Sequence, residues 1–262
     1  VKNDFVYNKS CVEDSMSDLD DNSIDMVVTS PPYYNLKDYS QWPTYEDYIQ
    51  FVRNVFLICM RKMKPGAWIC WNIQEGIPFP HSQTGKERYC ESLLGDTIQQ
   101  LQIAGFLYEK DIIWYKGKGT ATQKLFGSYP NSGMILVSGV TEHIITARKP
   151  RGDYKREISE DIKNKSKLTK KEWADWAIDL WTIHPESATR IGHPAPFPVE
   201  IPYRLIRMNT CVEDVILDPF MGSGSTALAA KRCERYYIGY EIHKKYIELI
   251  QGRLAKDVDI FV

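Results

Sequence analysis

Short apolar runs alternate with segments of helical period along most of this chain, and that alternation restricts it to few architectures. Residues 24–29 (IDMVVT) read as a strand buried on both faces. Residues 45–63 place Tyr48, Val52, Val55, Phe56, Cys59 and Met63 three and four apart, and Lys64-Pro65-Gly66 is expected to stop that helix. The same reading predicts strands over 67–73, 111–115, 142–147, 214–220 and 236–242. It predicts helices over 93–105, 198–208, 225–234 and 244–254, with Pro198 opening the second of these. Strands followed by helices imply a mainly parallel sheet covered on both faces, a doubly wound α/β fold. A length of 262 residues suits one large domain or one domain with a small insert.

Residues 149–171 (KPRGDYKREISEDIKNKSKLTKK) break the alternation. Nine are Lys or Arg and four are Asp or Glu, with no helix or strand period. Net charge is −1 over the whole chain, so a polyanion contact has to come from such a local patch or not at all. A solvated surface insert is the other reading of the segment. The six cysteines form no C-x-x-C pair, which argues against a zinc site and for reduced, mostly buried thiols. No apolar run approaches the roughly 20 residues of a membrane span. The N-terminus lacks a signal-peptide core, so the expectation is a soluble, cytoplasmic protein.

Two turns carry the chemistry. In ILDPFMGSGSTALAA a strand ends at Asp218, a loop carries Gly222-Ser223-Gly224, and a helix starts at Ser225. Glycines admit close approach of a ligand to the backbone, and the helix start offers free N–H groups. Glu241 closes the next strand 19 positions after Gly222, near the offset at which an acid reaches a ribose in nucleotide-binding sheets. The spacing is not G-x-G-x-x-G, and Asp218 would repel a phosphate. An adenosine with a cationic end, such as S-adenosylmethionine, fits better.

The second turn, Thr29-Ser30-Pro31-Pro32-Tyr33-Tyr34, follows the first strand. Its prolines cannot extend a ladder, so it leaves backbone carbonyls, the Ser30 hydroxyl and the Tyr33 ring at a strand's carboxyl end. Acceptors suit an exocyclic amine, and an aromatic face suits a base taken out of its stack. A merely rigid loop with a core tyrosine is the plainer reading.

With TSPPY at 29–33, HPAPFP at 193–198 and DPFMGSG at 218–224 in that order, the chain resembles the beta-class DNA amino-methyltransferases. The resemblance covers nearly the whole chain. It implies a Rossmann-like, doubly wound sheet with permuted motif order and a small target-recognition insert. It divides the chain into 1–148, carrying the PPY turn; 149–190, a basic target-recognition insert; and 191–262, the cofactor-binding part of the same domain. It implies a cofactor site for S-adenosyl-L-methionine at Asp218, Pro219, Phe220, Gly222, Ser223, Gly224, Ser225 and Glu241. His193, Pro194, Ala195 and Phe197 would close over the methionine end, and Ser30, Pro31, Pro32 and Tyr33 would hold the target base. Two places depart from the family pattern. Ser10-Cys11 stands where Gly-Asp is usual, leaving Cys11 at the adenine side. His243 stands where an acid is common, and reads as a surface residue at the last helix.

No Pro-Cys pair is present, which disfavours carbon-5 chemistry on cytosine. Serine before Pro-Pro resembles the members acting on N4 of cytosine, with N6 of adenine as the alternative. The implied partner is double-stranded DNA, reached by base flipping. Restriction would need a separate nuclease chain, and the oligomeric state stays open between monomer and dimer. DNA contacts are expected from 117–135 and 150–190, through Lys155, Arg156, Lys163, Lys165, Lys167, Lys170 and Lys171. Trp173, Trp176 and Leu180, at helical spacing, are expected in the core. Methylation of RNA or of a protein amide remains a remoter reading, as does a non-catalytic nucleotide-binding module.

Overall fold

The computed structural model describes residues 3–34, 41–79, 89–117 and 139–258. The first part of the chain gives β1 (Phe5–Tyr7), β2 (Ile24–Thr29), α1 (Tyr45–Lys62), β3 (Met63–Ile73), β4 (Ile77–Phe79), β5 (Tyr89–Glu91) and α2 (Leu93–Ile103). Then come β6 (Leu107–Tyr115), β7 (Thr141–Arg148), α3 (Glu160–Lys165), α4 (Lys170–Trp176), β8 (Leu180–Thr182) and α5 (Ala188–Ile191). The last part gives α6 (Glu200–Asn209), β9 (Val215–Asp218), α7 (Ser225–Arg232), β10 (Tyr236–Tyr240) and α8 (Lys244–Val258).

Eight strands form one sheet in the order β1-β10-β9-β2-β3-β7-β6-β8, and β4 and β5 form a separate hairpin. Only β7 runs against its neighbours in the large sheet. Apolar side chains feed both faces by alternation: Val27, Ile69, Trp71 and Leu217 join the core under α1 and α2, whereas Met26, Val28, Cys70 and Ile216 join the core under α6 and α7. The doubly wound, mainly parallel sheet expected from the alternation is thus the observed fold.

Several boundaries differ, each for a local reason. Helix α1 starts at a capping box, in which Thr44 and Asp47 satisfy each other's backbone N–H. It ends at Lys62, and the chain turns directly into β3, so Lys64-Pro65-Gly66 lies inside a strand rather than in a stop. Pro198 precedes α6 instead of opening it. Pro202 is buried in the helix's first turn, where its missing N–H would have had no helical partner. The 149–171 stretch does hold helices, contrary to its lack of period. Ser159 caps α3 and a Thr169–Glu172 capping box starts α4. Helix α3 buries nothing, so no apolar stripe could announce it. Trp176 is buried, but Trp173 is 66% and Leu180 51% exposed. The core expectation holds at Trp176 and fails at Trp173 and Leu180, because α4 ends at Trp176 and Leu180 belongs to β8. Among the described residues, no helix is long and apolar enough to cross a membrane.

Candidate active site

The carboxyl ends of β2, β3, β6, β9 and β10 lie along one edge of the sheet. Because β7 runs the other way, its first residues, Thr141 and Glu142, reach that same edge. A cleft of about 1470 Å³ opens there. Ser30, Pro31, Pro32 and Tyr33 line one part of it. Pro219, Phe220, Gly222 and Glu241 line another, with Cys11 beside them. His193, Pro194, Ala195 and Phe197 form a third wall. A smaller hollow of about 30 Å³ adjoins it and is bordered by Ser30, His193, Asp218, Gly222, Ser223 and Ser225. A turn near the start of the chain and two segments near its end therefore meet at one place.

The glycine loop is shaped from below. Asp218 is buried and accepts from Thr29 Oγ1 (2.5 Å), Thr226 Oγ1 (2.6 Å) and the Phe220 N–H (3.0 Å). Burial raises its carboxyl to about 6, and those three bonds oppose the rise. This carboxylate ties β2, β9 and α7 together beneath the loop. Gly222 has φ +50°, and a Cβ there would lie 3.2 Å from His193 Nε2. Gly224 has φ +80°, and a Cβ there would meet Ile250 of α8 at 2.8 Å. It faces the core side of the loop rather than the cleft. Arg253 of α8 donates to the Ser223 carbonyl at 2.5 Å, a support no motif contains.

Glu241 accepts from the Gly222 N–H at 2.9 Å and the His243 N–H at 2.8 Å, and burial raises its carboxyl above the ordinary range. His193 accepts from the Ala195 N–H through Nδ1 (3.3 Å) and sets its ring edge-on to Tyr246. Burial first, then the nearby Lys245 and Arg253 charges, push His193 down to about 4, so its ring is neutral at pH 7. His243 is not a simple surface residue. It is half-buried, lines the cleft and meets Tyr246 edge-on.

The PPY turn rests on groups that sequence motifs did not mark. Asn72 Nδ2, which carries two hydrogens, lies within hydrogen-bond distance of three acceptors: Ser30 Oγ (3.2 Å), Tyr33 Oη (3.0 Å) and Glu142 Oε2 (2.6 Å). Tyr33 donates to Glu142 Oε2 at 2.9 Å, and Lys116 pairs with Glu142 Oε1. Tyr34 takes part in an aromatic cluster with Tyr45, Tyr48 and Phe79, which seats the turn against α1 and the β4–β5 hairpin. The only sequence signal for Asn72, Lys116 and Glu142 is a polar residue at the end of an apolar strand.

The basic residues lie away from the cleft. Lys163 pairs with Glu160, Lys165 with Asp161 and Lys171 with Asp175, all on exposed faces of α3 and α4. Lys155, Lys167 and Lys170 are exposed. Arg156, expected at DNA, instead holds buried Asp214 with both terminal nitrogens and lies 3.5 Å from buried Asp25. The pair of buried carboxylates draws it inward. Of the expected 117–135 contact segment, 118–135 lies outside the described residues.

Comparison with known proteins supplies the context. The chain matches the DNA methylase family N6_N4_Mtase over residues 24–252. The Type II beta methyltransferase M.BslI of Bacillus sp. (strain NEB-606) is 32% identical over 248 residues, covering 91% of this chain and 26% of that protein. The chain thus spans about a quarter of that relative's length. The Type II methyltransferase M.BglII of Bacillus subtilis is 26% identical, over 97% of this chain and 69% of its own length. TTHA0409 of Thermus thermophilus, assigned as a DNA modification methylase and solved with S-adenosyl-L-methionine, superposes with a TM-score of 0.79. It is 28% identical and covers 97% of this chain and 93% of its own. The cytosine-N4-specific PvuII DNA methyltransferase shares the fold at TM-score 0.68 and 22% identity, covering 99% of this chain and 92% of its own.

Proposed function

The chain belongs to the N6/N4 DNA methylase family, and from that premise we propose that it transfers a methyl group from S-adenosylmethionine to the exocyclic N4 amine of cytosine in duplex DNA. The observation that carries this reading is the convergence of the Ser30–Tyr33 turn, the Gly222 loop and the His193 segment on one cleft. An amine acceptor site and a nucleotide cradle then share one space, as a direct transfer requires.

The residues present fit this cofactor. Gly222 leaves free the space a Cβ would fill, and α7 begins just beyond it. Glu241 offers a carboxylate, held in place by two backbone N–H groups, within reach of ribose hydroxyls. His193 is neutral and so does not repel a cationic sulfonium. Asp218, Pro219, Phe220, Ser223, Ser225, Pro194, Ala195, Phe197 and Cys11 complete the proposed surround. The bound cofactor supplies a methyl group on positive sulfur, an electrophile that needs no covalent enzyme intermediate.

The chain's own contribution is positioning and electrostatics. Ser30 Oγ and the Pro31 carbonyl accept the target amine's hydrogens and turn its lone pair out of conjugation. The Tyr33 ring stacks on the flipped base, with its hydroxyl anchored on Glu142. Serine at position 30, rather than an acid, favours cytosine N4. The proposed DNA surface includes the exposed lysines of α3 and α4, and a nuclease acting on the same sites would be a separate chain.

The test is methylation of plasmid DNA by the purified chain, followed by nucleoside mass spectrometry. N4-methylcytosine is expected. N6-methyladenine alone would overturn the base and keep the chemistry; no methylated nucleoside would overturn the reading. Calorimetry should show S-adenosylmethionine binding that Gly222→Asp abolishes, since the new side chain would fill the cradle against His193.

A further inference from the structure

Four neighbouring strands set a row of polar side chains along the cleft. Ser30 follows β2, Asn72 lies in β3, Glu142 in β7 and Lys116 just beyond β6. Asn72 stands opposite Ile144, and Glu142 opposite Trp114. Strand alternation therefore turns Asn72, Glu142, Trp114 and Lys116 to one face of the sheet. Lys116, at the far end of the row from Ser30, pairs with Glu142 Oε1. That carboxylate is fully engaged, because its Oε2 accepts from Tyr33 at 2.9 Å and lies 2.6 Å from Asn72 Nδ2. The Lys116 ammonium is not. It carries three hydrogens, and among the described residues Glu142 is its only hydrogen-bond partner. Its Nζ is seated 4.9 Å from the centre of the Trp114 ring, and the side chain is 23% exposed at the cleft wall.

A base whose exocyclic amine is held at Ser30 directs its Watson–Crick edge along this row. Cytosine presents three groups in order: the N4 amine, the N3 acceptor and the O2 acceptor. Adenine presents the N6 amine, the N1 acceptor and then a hydrogen on carbon 2. The two bases agree at the first two places and differ at the third. A cation with donors to spare, beyond the amine's site and on the same face, meets an acceptor in cytosine. In adenine it meets a C–H group, and one of its hydrogens then loses water without gaining a partner.

We propose that Lys116 is the residue that distinguishes cytosine from adenine, donating to O2 of the flipped base while Ser30 holds its amine. This deepens the cytosine-N4 reading above and rests on it. Glu142 and the Trp114 ring then serve as the supports that aim the ammonium, one by charge and one by its face. A lysine that merely neutralised Glu142 would have no contact with the base, and the two roles separate when the base's third group is altered.

The test uses duplexes that carry the site found by plasmid methylation, with cytosine or 2-thiocytosine at the target position. Sulfur is the weaker acceptor and leaves the amine in place. Single-turnover rates are compared for wild type and Lys116→Met, and calorimetry follows cofactor affinity. Wild type should slow on the order of 10-fold on 2-thiocytosine, and Lys116→Met should slow by about 10- to 100-fold on cytosine, the range for a hydrogen bond to a charged group. Lys116→Met should treat the two bases alike and bind cofactor as wild type does. Any effect of sulfur on the duplex itself is common to both chains and cancels in the ratio. If Lys116→Met fails to fold because Glu142 has lost its cation, Lys116→Met combined with Glu142→Gln restores the charge balance and takes its place. A variant that keeps the full wild-type preference for cytosine over 2-thiocytosine would reduce Lys116 to the counterion of Glu142 and overturn the proposal. A wild-type chain that makes N4-methylcytosine at equal rates from both bases would overturn it too and spare the cytosine reading. N6-methyladenine as the sole product would overturn that reading and this inference with it.

Discussion

At His193 a single side chain links the loop geometry to pH. The unfolded chain binds a proton on this histidine near pH 6.5, whereas the folded chain refuses it until about 4. The unfolded state therefore gains the proton first, and this residue's share of stability is lost as pH falls from about 6.5 to about 4. Asp218 opposes it. Its folded value of about 6 lies above the unfolded one, so its share of stability grows as pH falls through much of the same window. The wild-type slope is the difference of the two. His193→Asn should remove the first contribution, so urea midpoints of variant and wild type should converge, or cross, between pH 7 and pH 4.5. An acid response identical in the two chains would contradict the neutral, buried ring. Residue types at both positions were legible from motifs, but their protonation was not. It depends on what is stacked above each group, which is Tyr246 in one case and the loop backbone in the other.

Helices α3 and α4, with the segment that leads into them, separate two kinds of basic residue that look alike in sequence. Arg156 neutralises Asp214, whose side chain is 3% exposed, and removing it leaves a buried carboxylate short of its cation. Arg156→Ala should cost about 2 kcal/mol, below the roughly 3–5 kcal/mol for stripping one partner from a fully buried pair, because the Arg156 side chain is 36% exposed. Chemical denaturation measures this directly. Lys163, Lys165 and Lys171 pair within their own short helices on exposed faces, an arrangement worth about 0–1 kcal/mol per pair. Changing Lys165, Lys167, Lys170 and Lys171 together to Gln should leave stability within about 1 kcal/mol. It should weaken DNA binding and flatten the dependence of log affinity on log salt, by as much as about 3.6 if all four contact phosphate. An unchanged slope would remove these lysines from the DNA surface. Nothing in a run of Lys and Arg distinguishes the residue that faces a buried acid 58 positions away from those that face water.

Across the whole molecule, ligand binding and stability are linked through the glycine loop, because Asp218, Glu241 and Arg253 connect it to β2, β10 and α8. S-adenosylmethionine at a hundred times its Kd should stabilise the fold by about 2.7 kcal/mol. Thermal unfolding should then shift upward by on the order of 5 °C, and Gly222→Asp should lose the shift. The amino-acid sequence alone determined the layered α/β architecture, since apolar period and turn chemistry act within a few residues of one another. It also marked the loop glycines, Glu241 and the Ser-Pro-Pro-Tyr turn, whose backbone demands are local. It placed Trp173 and Leu180 in a core they do not join, because a spacing carries no knowledge of where a helix ends. Only the tertiary structure decided that Asn72, Lys116 and Glu142 stand beneath the turn. They come from three strands or their ends, and they meet because β7 runs antiparallel and brings its first residues to the edge where its neighbours end. Strand order and direction are set by burial summed over the whole sheet, a quantity no local stretch of sequence contains.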